Sequence, residues 1–109
     1  MEEDFQKHIR SLITENVLIV VEGVKDKNAL NSFGITNIIT LNSPLFSVVE
    51  HVAEKTKECV VLTDLDKEGK KLYAKLSSDL QRHGVKINNK FRNFFVGLFN
   101  MYLLHITSV

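Results

Sequence analysis

The chain has one cysteine, one proline and no tryptophan among 109 residues. A single cysteine excludes an intramolecular disulfide framework and fits a reducing compartment. Cys59 lies within an apolar run, where a buried structural thiol is expected. No repeat, low-complexity tract or linker interrupts the chain. Neither sign of charge dominates: the net charge is +1, so affinity for nucleic acid has to come from local patches. No stretch reaches the roughly 20 predominantly apolar residues of a membrane span. The run from Phe94 to Ile106 is too short and too interrupted, so no membrane association is expected. The acidic start Met1-Glu2-Glu3-Asp4 is unlike the basic start of a secretory leader, which predicts a cytoplasmic location. His8, His51, His83 and His105 are scattered, with no metal-ligand spacing.

What is present is ordinary in bulk and informative in pattern. An apolar fraction of 44% and a charged fraction of 25% are typical of a globular chain. The length suits one domain able to bury roughly two-thirds of its unfolded surface. Phe5, Ile9, Leu12 and Ile13 recur at helical spacing, predicting a helix over residues 1–15 ahead of the first strand. Val17–Val21 is a β-branched run of the kind buried on both faces of a sheet. Asp26–Phe33 reads as a helix stopped by Gly34, and Asn37–Leu41 as a short strand. Ser43-Pro44 predicts an N-cap followed by proline at the first helical position, before Leu45, Val48, Val49 and Val52. Glu58–Thr63 is the third strand. Lys67–His83 is a helix with Leu72, Leu76 and Leu80 on one face, and Val85–Ile87 a weak fourth strand. Phe91, Phe94, Phe95, Leu98, Phe99 and Tyr102 trace a last stripe over residues 89–109, expected to pack on the sheet or to form a homodimer or larger complex.

Strands alternating with helices imply parallel pairing through right-handed crossovers. The expected architecture is an α/β three-layer sandwich of Rossmann type, with a parallel sheet of about four strands. In such folds ligands bind beyond the carboxyl ends of the strands, where the strand order reverses. A 2-1-3-4 order would put that point between the first and third strands.

Two acidic strings stand at those strand ends. Glu22-Gly23-Val24-Lys25-Asp26 follows the first strand, and Asp64-Leu65-Asp66-Lys67-Glu68-Gly69 follows the third. Magnesium prefers oxygen donors and commonly takes two carboxylates, with water and substrate phosphate completing the set. An Asp-x-Asp pair at a strand end can supply that edge, and a neighbouring glutamate can move a proton. Glu22, Asp64 and Asp66 are therefore the candidate catalytic and Mg²⁺-binding residues, with Mn²⁺ an expected substitute. Gly23 and Gly69 fit turns that approach a ligand or take positive φ, and with Asp26 they are the candidate cofactor-contacting positions. Lys25, Lys67 and Lys70, beside Lys27 and Lys71, are candidate phosphate contacts, helped by the N-terminus of the helix near Lys67. The competing reading is plain: acidic residues at helix starts often serve only as caps. Tyr73, Lys90 and Arg92 are read as packing and ordinary surface charges.

At these residues the chain resembles the Toprim domain, the catalytic module of bacterial primases, type IA and type II topoisomerases and certain nucleases. The Glu-Gly-x-x-Asp spacing of Glu22 to Asp26 is similar to the primase and ribosomal-RNA-maturase forms. Thr63-Asp64-Leu65-Asp66-Lys67-Glu68-Gly69 resembles the Thr-Asp-x-Asp-x-Glu-Gly string of type IA topoisomerases. The resemblance covers roughly residues 16–88. It implies Glu22 as general acid or base, Asp64 and Asp66 as magnesium ligands, and Asp26 as a supporting carboxylate. The expected function is Mg²⁺-dependent phosphodiester chemistry on RNA or DNA, by a stand-alone nuclease or a catalytic subunit that borrows a nucleic-acid platform. The alternative is a non-catalytic nucleic-acid or nucleotide binding module. An aspartyl-phosphate enzyme of the haloacid-dehalogenase type is disfavoured, because Glu68 stands where that class has Thr or Val.

Overall fold

A computed structural model describes residues 2–92. The apolar stripe from Phe94 onward, and the interface expected of it, lie outside the described residues. The element order is α1 (Glu2–Glu15), β1 (Leu18–Val21), α2 (Val24–Ser32), β2 (Ile38–Thr40), α3 (Leu45–Lys55), β3 (Glu58–Leu62), α4 (Lys67–Arg82) and β4 (Lys86–Ile87). The elements are those read from the sequence, with ends shifted by a residue or two.

The sheet has the order β2-β1-β3-β4 and every pairing in it is parallel. β1 throughout and β3 from Cys59 onward are apolar because both faces are covered. Alternate side chains part to the two sides. Ile19, Val21, Val60 and Leu62 pack with Ile9 and Leu12 of α1 and Ala29 and Leu30 of α2. Leu18, Val20, Cys59 and Val61 pack with Val48, Val49 and Val52 of α3 and Leu76 and Leu80 of α4. The result is three layers with two separate cores. Cys59 is a fully buried free thiol, its pKa pushed up to about 11 by burial and by the neighbouring Glu58 charge.

Two helices are stopped by the same device. Gly34 (φ +91°) and Gly84 (φ +83°) occupy the left-handed position after α2 and α4. The next amides, of Ile35 and Val85, reach back to Leu30 O and Leu80 O at 3.1 and 3.0 Å. Both residues then enter the core, which completes a Schellman stop.

The start of α3 departs from expectation. Pro44 itself is the N-cap, with extended backbone (φ −54°, ψ 145°), and its carbonyl accepts from the amides of Ser47 and Val48. Ser43 does not cap the helix; its hydroxyl points to Asn42 Oδ1 at 3.4 Å. With Pro44 as N-cap, Ser43 stands one residue before the capping position, and the helix start has no side-chain cap.

Candidate functional site at the carboxyl edge of the sheet

β1 and β3 are adjacent, with Val21 opposite Leu62, so both acidic strings leave the same edge side by side. Glu22 crosses the gap: its Oε2 accepts the backbone N–H of Asp64 at 2.7 Å. That bond joins residues 42 apart in sequence and ties the Glu22 carboxylate to the backbone of Asp64, which forms an acidic ledge at this edge. The strand order reverses between β1 and β3, which is where open α/β sheets place their ligands.

The loop from Thr63 to Gly69 is closed by its own residues. Thr63 is fully buried, and its hydroxyl donates to Gly69 O at 2.8 Å. Asp66 is the N-cap of α4, its Oδ1 accepting the Gly69 N–H at 2.7 Å. Asp66 thus performs the capping role that competed with the metal reading, while its other oxygen is left for a further partner.

The two glycines have reasons other than those expected. Gly69 is not in a turn with positive φ. It lies in the first turn of α4, and a Cβ there would stand 2.1 Å from Asp64 O. The helix can approach the Asp64 carbonyl only because this side chain is missing. Gly23 has extended backbone at φ −149°, with open space around its missing Cβ, so neither positive φ nor crowding requires it. It is the N-cap of α2, and its N–H donates to Asp26 Oδ2 at 3.2 Å.

Asp26 holds its proton more tightly than an ordinary aspartate. Burial raises its pKa most, the Gly23 N–H bond draws it back, and the charge of Asp64 raises it further. Between the ordinary value of 3.8 and the raised one, the folded state binds more protons than the unfolded. The stability contributed by this group therefore falls as pH rises through that window. Asp26→Asn keeps an acceptor for Gly23 and removes the charge. Its melting temperature in metal-free buffer is expected to exceed the wild type's at neutral pH and to converge with it in acid. A variant that is less stable at neutral pH would contradict this account.

Lys25, Lys67 and Lys70 are exposed around the rim, and none is paired with a described carboxylate. They remain available for phosphate. Tyr73 is half-buried on α4 in the core between α3 and α4, as expected of a packing residue.

Arg92 is the correction with most consequence. It is only 7% exposed, not a surface charge. Its guanidinium lies 3.9 Å from the Tyr73 ring centroid and reaches Thr63 O at 2.9 Å, Thr63 Oγ1 at 3.1 Å and Asp64 O at 3.3 Å. Burial lowers its pKa, opposed by Tyr73 and by the charges of Glu22 and Asp64. The sequence did carry a signal: one cation stands among the aromatic residues Phe91, Phe94 and Phe95, where a charge needs a partner.

Among the described residues, no three His, Cys, Asp or Glu side chains are grouped closely enough to hold a metal ion by themselves. The donor chemistry still fits magnesium. Glu22 and Asp66 each commit one oxygen to a backbone N–H, which leaves one oxygen apiece in addition to the Asp64 carboxylate. Mg²⁺ commonly takes one or two carboxylates and completes its shell with water and substrate phosphate. No helix among the described residues is long and apolar enough to cross a membrane.

The chain is thus a parallel α/β sandwich with acidic residues at its strand-order reversal. The chain belongs to the Toprim domain family, whose model matches residues 16–89. That family is associated with metal-dependent processing of nucleic acids. The chain is 32% identical over 78 residues to the UPF0292 protein MJ1624 of Methanocaldococcus jannaschii, covering 69% of this chain and 61% of that protein. It is 36% identical over 75 residues to the UPF0292 protein PYRAB04740 of Pyrococcus abyssi, covering 68% and 57%. The chain thus spans about three-fifths of the length of these curated relatives. A solved structure of a protein from Aquifex aeolicus superposes with a TM-score of 0.76 at 29% identity, over 98% of this chain and 96% of that one.

Proposed function

We propose that the chain carries out Mg²⁺-dependent phosphodiester chemistry on RNA or DNA, as a stand-alone nuclease or the catalytic subunit of a processing complex. The observation that supports this best is the Glu22–Asp64 ledge, closed by a 2.7 Å bond at the reversal of strand order. Asp64, with the free oxygen of Asp66, would hold the ion, and the free oxygen of Glu22 is left for the proton. When bound, Mg²⁺ supplies charge neutralisation at the reacting phosphate.

The chain's own groups do the rest. Glu22, oriented by the Asp64 N–H, gives or takes the proton of the attacking or leaving oxygen. Lys25, Lys67 and Lys70 hold flanking phosphates, and the first turn of α4 adds a positive dipole end.

The test is cleavage of labelled RNA and DNA, single- and double-stranded, with Mg²⁺ or Mn²⁺ and with chelator. Metal-dependent product, lost in chelator, is expected. Salt-sensitive binding without turnover across the whole panel would replace this reading with a binding module.

A further inference from the structure

We propose that Arg92 is the positioning residue of the Glu22–Asp64 pair, a side chain that continues the sheet where β4 stops. The catalytic part of this proposal rests on the phosphodiester reading above.

The geometry follows from the shortness of β4. Alternate carbonyls of the third strand face its outer edge. β4 and the residue after it serve the first two: Lys86 N donates to Lys57 O at 2.8 Å, and Asn88 N to Cys59 O at 2.9 Å. The next carbonyls in that row belong to Val61 and Thr63, and β4 has already ended at Ile87. Arg92 Nη1 takes over both, at 3.5 and 2.9 Å, and also reaches the Thr63 hydroxyl. Its Nη2 donates to Asp64 O at 3.3 Å.

The N–H of Asp64 is meanwhile held by Glu22. The residue that carries the central carboxylate is therefore gripped at its amide from β1 and at its carbonyl from the segment after β4. Phe91 anchors that segment, being buried in the core beneath α1, with its ring edge-on to His8 at 5.5 Å. Stacking on Tyr73 sets the plane of the guanidinium. A lysine would keep the charge, but a point ammonium cannot span four acceptors laid out along a strand edge.

The test uses amide hydrogen exchange, read by NMR on the isotope-labelled full chain in metal-free buffer, for wild type, Arg92→Lys and Arg92→Met. In both variants the Asp64 amide is expected to exchange about tenfold faster or more, as befits a lost charge-assisted hydrogen bond. The Val52 amide in α3 should stay unchanged. Acceleration at Asp64 no greater than at Val52 marks a merely structural role and overturns the proposal.

Cleavage assays separate this from the functional reading. With an active wild type, Arg92→Lys is expected to lower kcat about tenfold and leave KM for nucleic acid unchanged. An unchanged kcat overturns the catalytic part. A wild type without metal-dependent cleavage overturns the phosphodiester reading alone, and the exchange result still decides the role of Arg92.

Discussion

Glu22→Gln is expected to lower metal-dependent cleavage by about 10²–10⁴-fold, the usual worth of a positioned proton-transfer group. The fold should survive, because the glutamine carbonyl oxygen can still accept the Asp64 N–H that Glu22 Oε2 accepts now. Glu22→Ala is expected to lose the same activity and some stability as well. It leaves that part-buried amide without its acceptor, at a cost of about 1–3 kcal/mol. The pair of variants separates chemistry from scaffold. Circular dichroism melts should place Glu22→Gln beside the wild type and Glu22→Ala below it. Undiminished cleavage by Glu22→Gln would remove Glu22 from the reaction.

Gly69→Ala is expected to destabilise the chain, against the usual direction. At an ordinary helix-interior site, replacing glycine by alanine stabilises by about 1 kcal/mol. Here the new Cβ would lie 2.1 Å from Asp64 O and 2.6 Å from its carbonyl carbon. These are backbone atoms and cannot swing aside. The carbonyl is held by Arg92, and the Asp64 amide by Glu22. Relief therefore requires α4 to lift from the loop or Asp64 to leave its place. Overpacking of this kind costs about 1–3 kcal/mol and occasionally more, enough to outweigh the gain in propensity. A melting temperature lower by roughly 4–8 °C is expected, the shift that a net loss of about 1 kcal/mol gives a domain of this size. Metal affinity should fall with it, since Asp64 moves. A Gly69→Ala protein as stable as the wild type would mean that the close approach of helix and loop is not required.

Much of this was legible in the sequence, and the reason is periodicity. Val17–Val21 and Cys59–Leu62 are apolar without alternation, as in a sheet covered on both faces. The βαβ pattern implied parallel pairing, and the order β2-β1-β3-β4, the one that would bring Glu22 to Asp64, is the order the sheet has. What escaped were relations that depend on distance alone. Gly69 reads as a turn residue because its real constraint, the Asp64 carbonyl, is invisible in the local string. Arg92 reads as a surface charge because its acceptors are the carbonyls of Val61, Thr63 and Asp64, some thirty positions earlier. Backbone acceptors leave no mark on composition. Ser43 illustrates the reverse error, a good capping residue that stands one position before the N-cap Pro44.

The clasp after β4 also sets an order of assembly. A chain is synthesised from its N-terminus. Glu22 and Asp64 are both synthesised before Arg92, so β1 and β3 can pair while the outer carbonyls of Val61 and Thr63 still face water. The Asp64 carbonyl gains its partner only when Arg92 arrives. Until then β1 and β3 can be paired while Asp64 is held at its amide alone.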